Sequence, residues 1–96
     1  MRKSTHSGEY AALRQRLEAM RKRAGLSQRA LARRLGVPHT WVSKVETGER
    51  RIDLVEFAWY CAGCGVNAAR EAEAIIAKWR LRNGSSEVGT PRGRRR

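Results

Sequence analysis

Apolar residues along the chain recur at intervals of three and four, the spacing of helices, and they fall into five stretches separated by glycines and small polar residues. Tyr10, Leu13, Leu17 and Met20 predict a first helix over residues 9–24 that is stopped at Gly25. Leu26, Leu31, Ala32 and Leu35 predict a short second helix, with Ser27 as its N-cap and Gly36 as its exit. Val37, Val42 and Val45 predict a third, opened by Pro38 at its first position and closed before Gly48. Asp53-Leu54-Val55-Glu56 has the form of a capping box with Asp in place of Ser or Thr, and it opens a fourth. That helix carries Leu54, Val55, Phe57, Ala58, Cys61 and Cys64 and is expected to be largely buried. Asn67 caps a fifth, with Ala68, Ala72, Ile75, Ile76 and Trp79 on one face.

The second and third stretches lie too close together for their helices to run side by side. A connection of about three or four residues forces a steep crossing, which is a helix-turn-helix. Ala32 is small where the first of the pair must pass the second, and Val42 plugs the joint. The outward set of the third helix is His39, Thr40, Ser43, Lys44 and Thr47, none of them a large apolar residue. Such a face suits the donor and acceptor pattern that base edges present in a DNA major groove.

Charge narrows the partner. The 96 residues carry 21 Lys and Arg against 9 acids, a formal +12. Residues 9–83 alone hold fifteen basic and eight acidic residues, so the ends do not create the excess. A polyanion is the expected partner. No apolar run reaches membrane length and no export signal is visible, which places the chain in the cytoplasm and argues against a disulfide framework for its two cysteines. The sequence also offers no nucleophile paired with His and acid, no phosphate-cradling Gly loop and no metal-ligand cluster. It is therefore read as a non-enzyme with no cofactor, no metal and no small-molecule substrate.

The run LSQRALARRLGVPHTWVSKVETGERRIDLVEF resembles the helix-turn-helix of the phage-repressor and Cro-like (XRE) family of DNA-binding regulators. The likeness extends from Leu13 to about Val66 and is a spaced pattern rather than one short motif. It implies an all-α, five-helix, lambda-repressor-like domain whose second and third helices form the motif. The resemblance makes His39, Thr40, Ser43 and Lys44 the base-facing set. Around it Ser27, Gln28, Arg29, Thr47, Arg50 and Arg51 are candidates for phosphate contact, Gln28 and the loop after Gly48 through the family pattern. His39 stands where relatives often have Gln, which brings in a group that titrates near neutrality. Trp41 stands where they often have Phe and is expected to pack. Glu46 is expected to orient a nearby arginine.

The family also implies a homodimer on a pseudo-palindromic site. Ile76 and Trp79 are the candidate seam, with packing on the first helix of the same chain as the alternative. Cys61-Ala62-Gly63-Cys64 is a CxxC, yet two ligands do not make a structural zinc site, and core packing is the expected role. Arg33 and Arg34 read as solvated, and Arg21-Lys22-Arg23 as favouring the dipole at a helix end. Residues 1–8 form a basic arm, residues 9–82 the domain and residues 83–96 a basic tail, both ends being expected to be disordered.

The sequence thus predicts a dimeric transcription regulator, more readily a repressor, on double-stranded DNA. An antitoxin and a restriction-modification controller share the same fold. An RNA binder, or a protein-interaction module working through Trp41, Trp59 and Trp79, remains open from another class.

Overall fold

A computed structural model of the chain describes residues 7–83, and within them five helices and no strand. The arm before Ser7 and the tail after Asn83 lie outside the described residues. The helices are α1 (Gly8–Arg23), α2 (Gln28–Leu35), α3 (His39–Thr47), α4 (Leu54–Gly63) and α5 (Ala68–Asn83). The all-α, five-helix reading therefore holds.

Local chemistry sets most of the boundaries. Ser7, Ser27 and Asn67 each accept a backbone N–H three residues ahead, at 3.0, 3.0 and 2.9 Å. Asp53 and Glu56 complete a reciprocal capping box at α4. Ser7 and Gly8, read from sequence as part of the arm, belong to the start of α1. Pro38 stands one place earlier than expected, as the N-cap of α3 with extended backbone, because its carbonyl takes the first helical bond from Trp41 N–H at 2.9 Å.

The joints share one device. After α1, α2 and α4 an apolar residue beyond the glycine, Leu26, Val37 or Val66, returns its N–H to a carbonyl five residues back, at 3.1, 3.1 and 3.0 Å. Each of those side chains then packs on the core. Gly36, at φ 71°, makes this turn between α2 and α3, where a side chain would be strained.

Leu17, Met20, Leu31, Ala32, Val42, Val45, Phe57, Tyr60, Cys61, Cys64 and Ile75 form one buried cluster drawn from all five helices. α2 and α3 pack on each other more closely than any other pair. The fourth helix departs from expectation. Phe57, Tyr60, Cys61 and Cys64 face inward, whereas Leu54 is 79 % exposed, Val55 57 %, and Ala58 is exposed too. Apolar residues surround most of this helix, so periodicity could not tell which side the core would take. Tyr60 is wholly buried.

Gly63 is needed for close approach. A Cβ there would lie 2.7 Å from Leu31 Cδ1 and 2.9 Å from Leu35 Cδ2, so α4 could not sit this near α2. Gly63→Ala is expected to destabilise the fold by about 1–3 kcal/mol in urea denaturation. Gly8→Ala, where nothing lies within 4 Å, is the control and should cost nothing. Equal stability of the two variants would show that α2 and α4 have slack between them.

Candidate nucleic-acid interface

α3 is divided lengthwise. Val42, Val45 and Glu46 are buried on its inner side, while Thr40, Lys44 and Thr47 are exposed and His39 and Ser43 half-buried on the outer side. The four base-facing candidates, His39, Thr40, Ser43 and Lys44, thus share one helix on which nothing large and apolar faces out. Thr47 returns its hydroxyl to the Lys44 carbonyl at 3.2 Å.

What holds this helix is a buried carboxylate. Arg21 of α1 donates from Nε and Nη2 to the two oxygens of Glu46, at 2.7 and 3.0 Å. Gln28 of α2 donates to Oε1 at 2.9 Å, and Tyr60 of α4 donates its phenol to Oε2. Arg21 also donates to the Leu26 carbonyl at 2.9 Å, tying down the joint before α2. One acid therefore joins four helices. Burial alone would raise the Glu46 carboxyl, but the hydrogen bonds from Arg21, Tyr60 and Gln28 outweigh it and bring its pKa below the usual value. Arg21 is raised, chiefly by its hydrogen bond to Glu46, and Tyr60 is pushed far above its ordinary range by burial and by the same carboxylate.

The orienting arginine expected for Glu46 is thus Arg21. It stands with Lys22 and Arg23 in the last turn of α1, as expected, but it alone of the three is buried, 7 % exposed, because the carboxylate draws it inward. The solvated reading of Arg34 is corrected. Although the residue is exposed, its guanidinium donates to the Gly63 carbonyl at 2.8 Å and so caps the end of α4.

The exit of α3 is built from a second set. Gly48, at φ 88°, leaves room for Arg14, whose Nε would lie 2.9 Å from any Cβ placed there. Arg14 donates to the Glu46 carbonyl at 3.2 Å, a cation at the negative end of α3. Arg50 N–H returns to the Lys44 carbonyl at 3.1 Å. The Arg50 guanidinium grips Glu56 through two bonds of 3.0 and 2.9 Å and lies 5.4 Å from the centre of the Trp41 ring. Trp41 is half-buried against the core, as its packing role required.

The phosphate candidates fall into two groups. Arg29 and Arg51 are exposed, Arg51 lying over the Tyr10 ring at 5.2 Å, and Ser27 and Thr47 are exposed beside them in sequence. Gln28 and Arg50 are already engaged, with Glu46 and Glu56. Gln28 keeps a second amide N–H, so its bond to Glu46 aims the side chain without using it up. Ile76 and Trp79 are both half-buried on α5 and line an apolar groove with Leu13 of α1 and Phe57 of α4. Cys61 and Cys64 are free and buried, and burial pushes both thiols up to about 11, so they stay protonated near neutrality and pack as small apolar groups.

Comparison with known proteins follows the same lines. Residues 12–74 match a family described as a helix-turn-helix domain. A solved structure, an XRE-family like protein from Pseudomonas syringae pv. tomato str. DC3000, superposes with a TM-score of 0.73 at 40 % identity, over 76 % of this chain and 89 % of that one. No curated protein gives a significant match. The fold and the α2–α3 unit define a helix-turn-helix protein, a DNA-binding regulator by class. Within that class the chain belongs to the XRE family. Among the described residues no helix is long and apolar enough to cross a membrane.

Glu46→Gln leaves the Arg21 charge buried without its counter-ion and is expected to cost about 3–5 kcal/mol in chemical denaturation. Because the folded carboxyl has the lower pKa, its contribution is complete above the unfolded glutamate range and is lost as pH falls through the folded value. The wild type should therefore lose stability more steeply than the variant on acidification. Parallel pH profiles would mean that Glu46 carries little of the fold.

Proposed function

We propose that the chain is a sequence-specific repressor that reads the major groove of double-stranded DNA with α3, acting as a homodimer. The observation that supports this best is the division of α3. A helix held rigidly by Val42, Val45 and Glu46 turns a wholly hydrogen-bonding face outward. Lys44 is suited to donate to guanine O6 and N7, Thr40 to offer its methyl to thymine, and His39 and Ser43 to donate or accept.

Arg29, Arg51, Ser27 and Thr47 supply phosphate contacts on either side of the reading face, and Gln28 adds one while held by Glu46. The exposed N-terminus of α2 favours an anion there as well. Arg50 acts at one remove, by fixing Trp41 and the start of α4. Repression then needs only occupancy of a promoter, and two copies about a two-fold axis would read inverted half-sites about one turn apart.

Selection from a random duplex pool with reduced full-length protein at near-physiological salt should enrich one short motif, in inverted copies. On that site Lys44→Ala should lose about 1–3 kcal/mol and relax the preference at one base position. Arg29→Ala and Arg51→Ala should instead weaken all sequences alike and flatten the salt dependence by about one unit of slope each. Strong, salt-sensitive binding with no enriched motif would reject base reading by α3 and favour an RNA partner.

A further inference from the structure

Arg50 and Arg51 are neighbours in the chain and part company in space. Arg50 turns towards α4, where its guanidinium is engaged by Glu56, by the Arg51 carbonyl and by the Trp41 ring. Arg51 turns towards α1 and lies 5.2 Å from the centre of the Tyr10 ring. The residue is exposed, and its guanidinium makes no hydrogen bond or ion pair to the chain among the described residues. A contact with an aromatic ring draws on the charge of the cation and leaves most of its N–H donors free for an anion.

Tyr10 does more than carry that ring. It is 8 % exposed, and its hydroxyl accepts the Ile52 N–H at 3.0 Å. On the other side of Arg51, the Arg50 N–H is held by the Lys44 carbonyl at 3.1 Å. The backbone is thus pinned on both sides of Arg51, and the side chain between rests on the residue that makes one of the pins. One turn further along α1, Arg14 donates to the Glu46 carbonyl at 3.2 Å, in the space that Gly48 leaves. Tyr10 and Arg14 share a face of α1 at helical spacing. That face grips the segment between α3 and α4 at its start and near its end, and so fixes Arg51 relative to α3. The sequence pattern marks Tyr10 only as an apolar position of α1.

We propose that Tyr10 is a positioning residue for DNA binding, its ring holding the Arg51 guanidinium so that it meets a phosphate in fixed register with α3. This rests on the phosphate role given to Arg51 above and not on base reading by α3. An arginine on an unsupported segment gives up its rotamer freedom when it takes a phosphate. On Tyr10 that ordering is made in the free protein, so more of the charge attraction appears as affinity. Every base pair offers the same phosphates, and the effect is therefore independent of sequence.

Titration of the full chain with a random-sequence duplex needs no operator and tests this directly. Tyr10→Leu is expected to weaken binding about three- to tenfold where Arg51 is present. With Arg51→Ala already made, the same substitution should change binding by less than about twofold. A merely structural role for Tyr10 would cost the same in both backgrounds. Tyr10→Phe, which keeps the ring and loses only the hydroxyl, should bind more tightly than Tyr10→Leu. In the free wild-type protein, the side-chain protons of Arg51 should show the upfield NMR shift of a group over an aromatic ring, a readout that needs no variant to fold. A Tyr10→Leu variant that binds like wild type, equal losses with and without Arg51, or unshifted Arg51 protons would each overturn the proposal. If Arg51→Ala weakens binding and no coupling appears, Tyr10 alone is overturned. If Arg51→Ala binds like wild type, the phosphate role is overturned and the positioning by Tyr10 with it.

Discussion

The fold depends on a single buried ion pair, Arg21 with Glu46. Glu46 stands on the inner side of α3, and an unpaired carboxylate there would be untenable. Arg21, Gln28 and Tyr60 arrive from three other helices and fill its acceptor positions. Replacing such a pair with apolar residues can be neutral for stability, so its worth lies in geometry as much as in energy. Hydrophobic contact alone would let α3 slide or rotate by a fraction of a turn. Directional bonds from α1, α2 and α4 permit one orientation, and that orientation decides which side chains face outward.

The cations of the fold divide by what they touch. Arg14, Arg21, Arg34 and Arg50 are anchored to carbonyls or carboxylates of the chain itself. Arg29, Arg33, Lys44 and Arg51 stand exposed on or beside the helix-turn-helix. The large positive charge thus has two functions that composition cannot separate, one holding helix ends and one presented to an anionic partner. Arg50 shows how near they lie. It follows Gly48 by two residues and precedes the exposed Arg51, yet it is turned back onto Glu56 and Trp41.

Sequence reading recovered what is local. Helix positions, the caps at Ser27, Asp53 and Asn67 and the turn at Gly36 each depend on residues within a few places of one another, and they stand where the pattern puts them to within a residue at the starts of α1 and α3. The packing role of the two cysteines was legible because no further ligand or redox context accompanied them. Contacts between distant residues were not legible. Arg21 and Glu46 are 25 positions apart, and Arg34 and Gly63 are 29 apart. Nothing in helical periodicity marks a charged residue as one that will be drawn inside. The burial of Tyr60 follows from Glu46 in the same way. On α4 the signal was overabundant, since residues on nearly every side are apolar and only the positions of the helices packed on it select the buried ones. The outward placement of His39, Thr40, Ser43 and Lys44 was legible as a helix face.

The lengthwise division of α3 has an evolutionary consequence. Its inner residues carry the tertiary contacts that hold the helix, while His39, Thr40, Ser43 and Lys44 make no side-chain hydrogen bond to another helix among the described residues. Substitution on the outer side therefore encounters little opposition from folding. Paralogues could drift apart on this face while inheriting one scaffold.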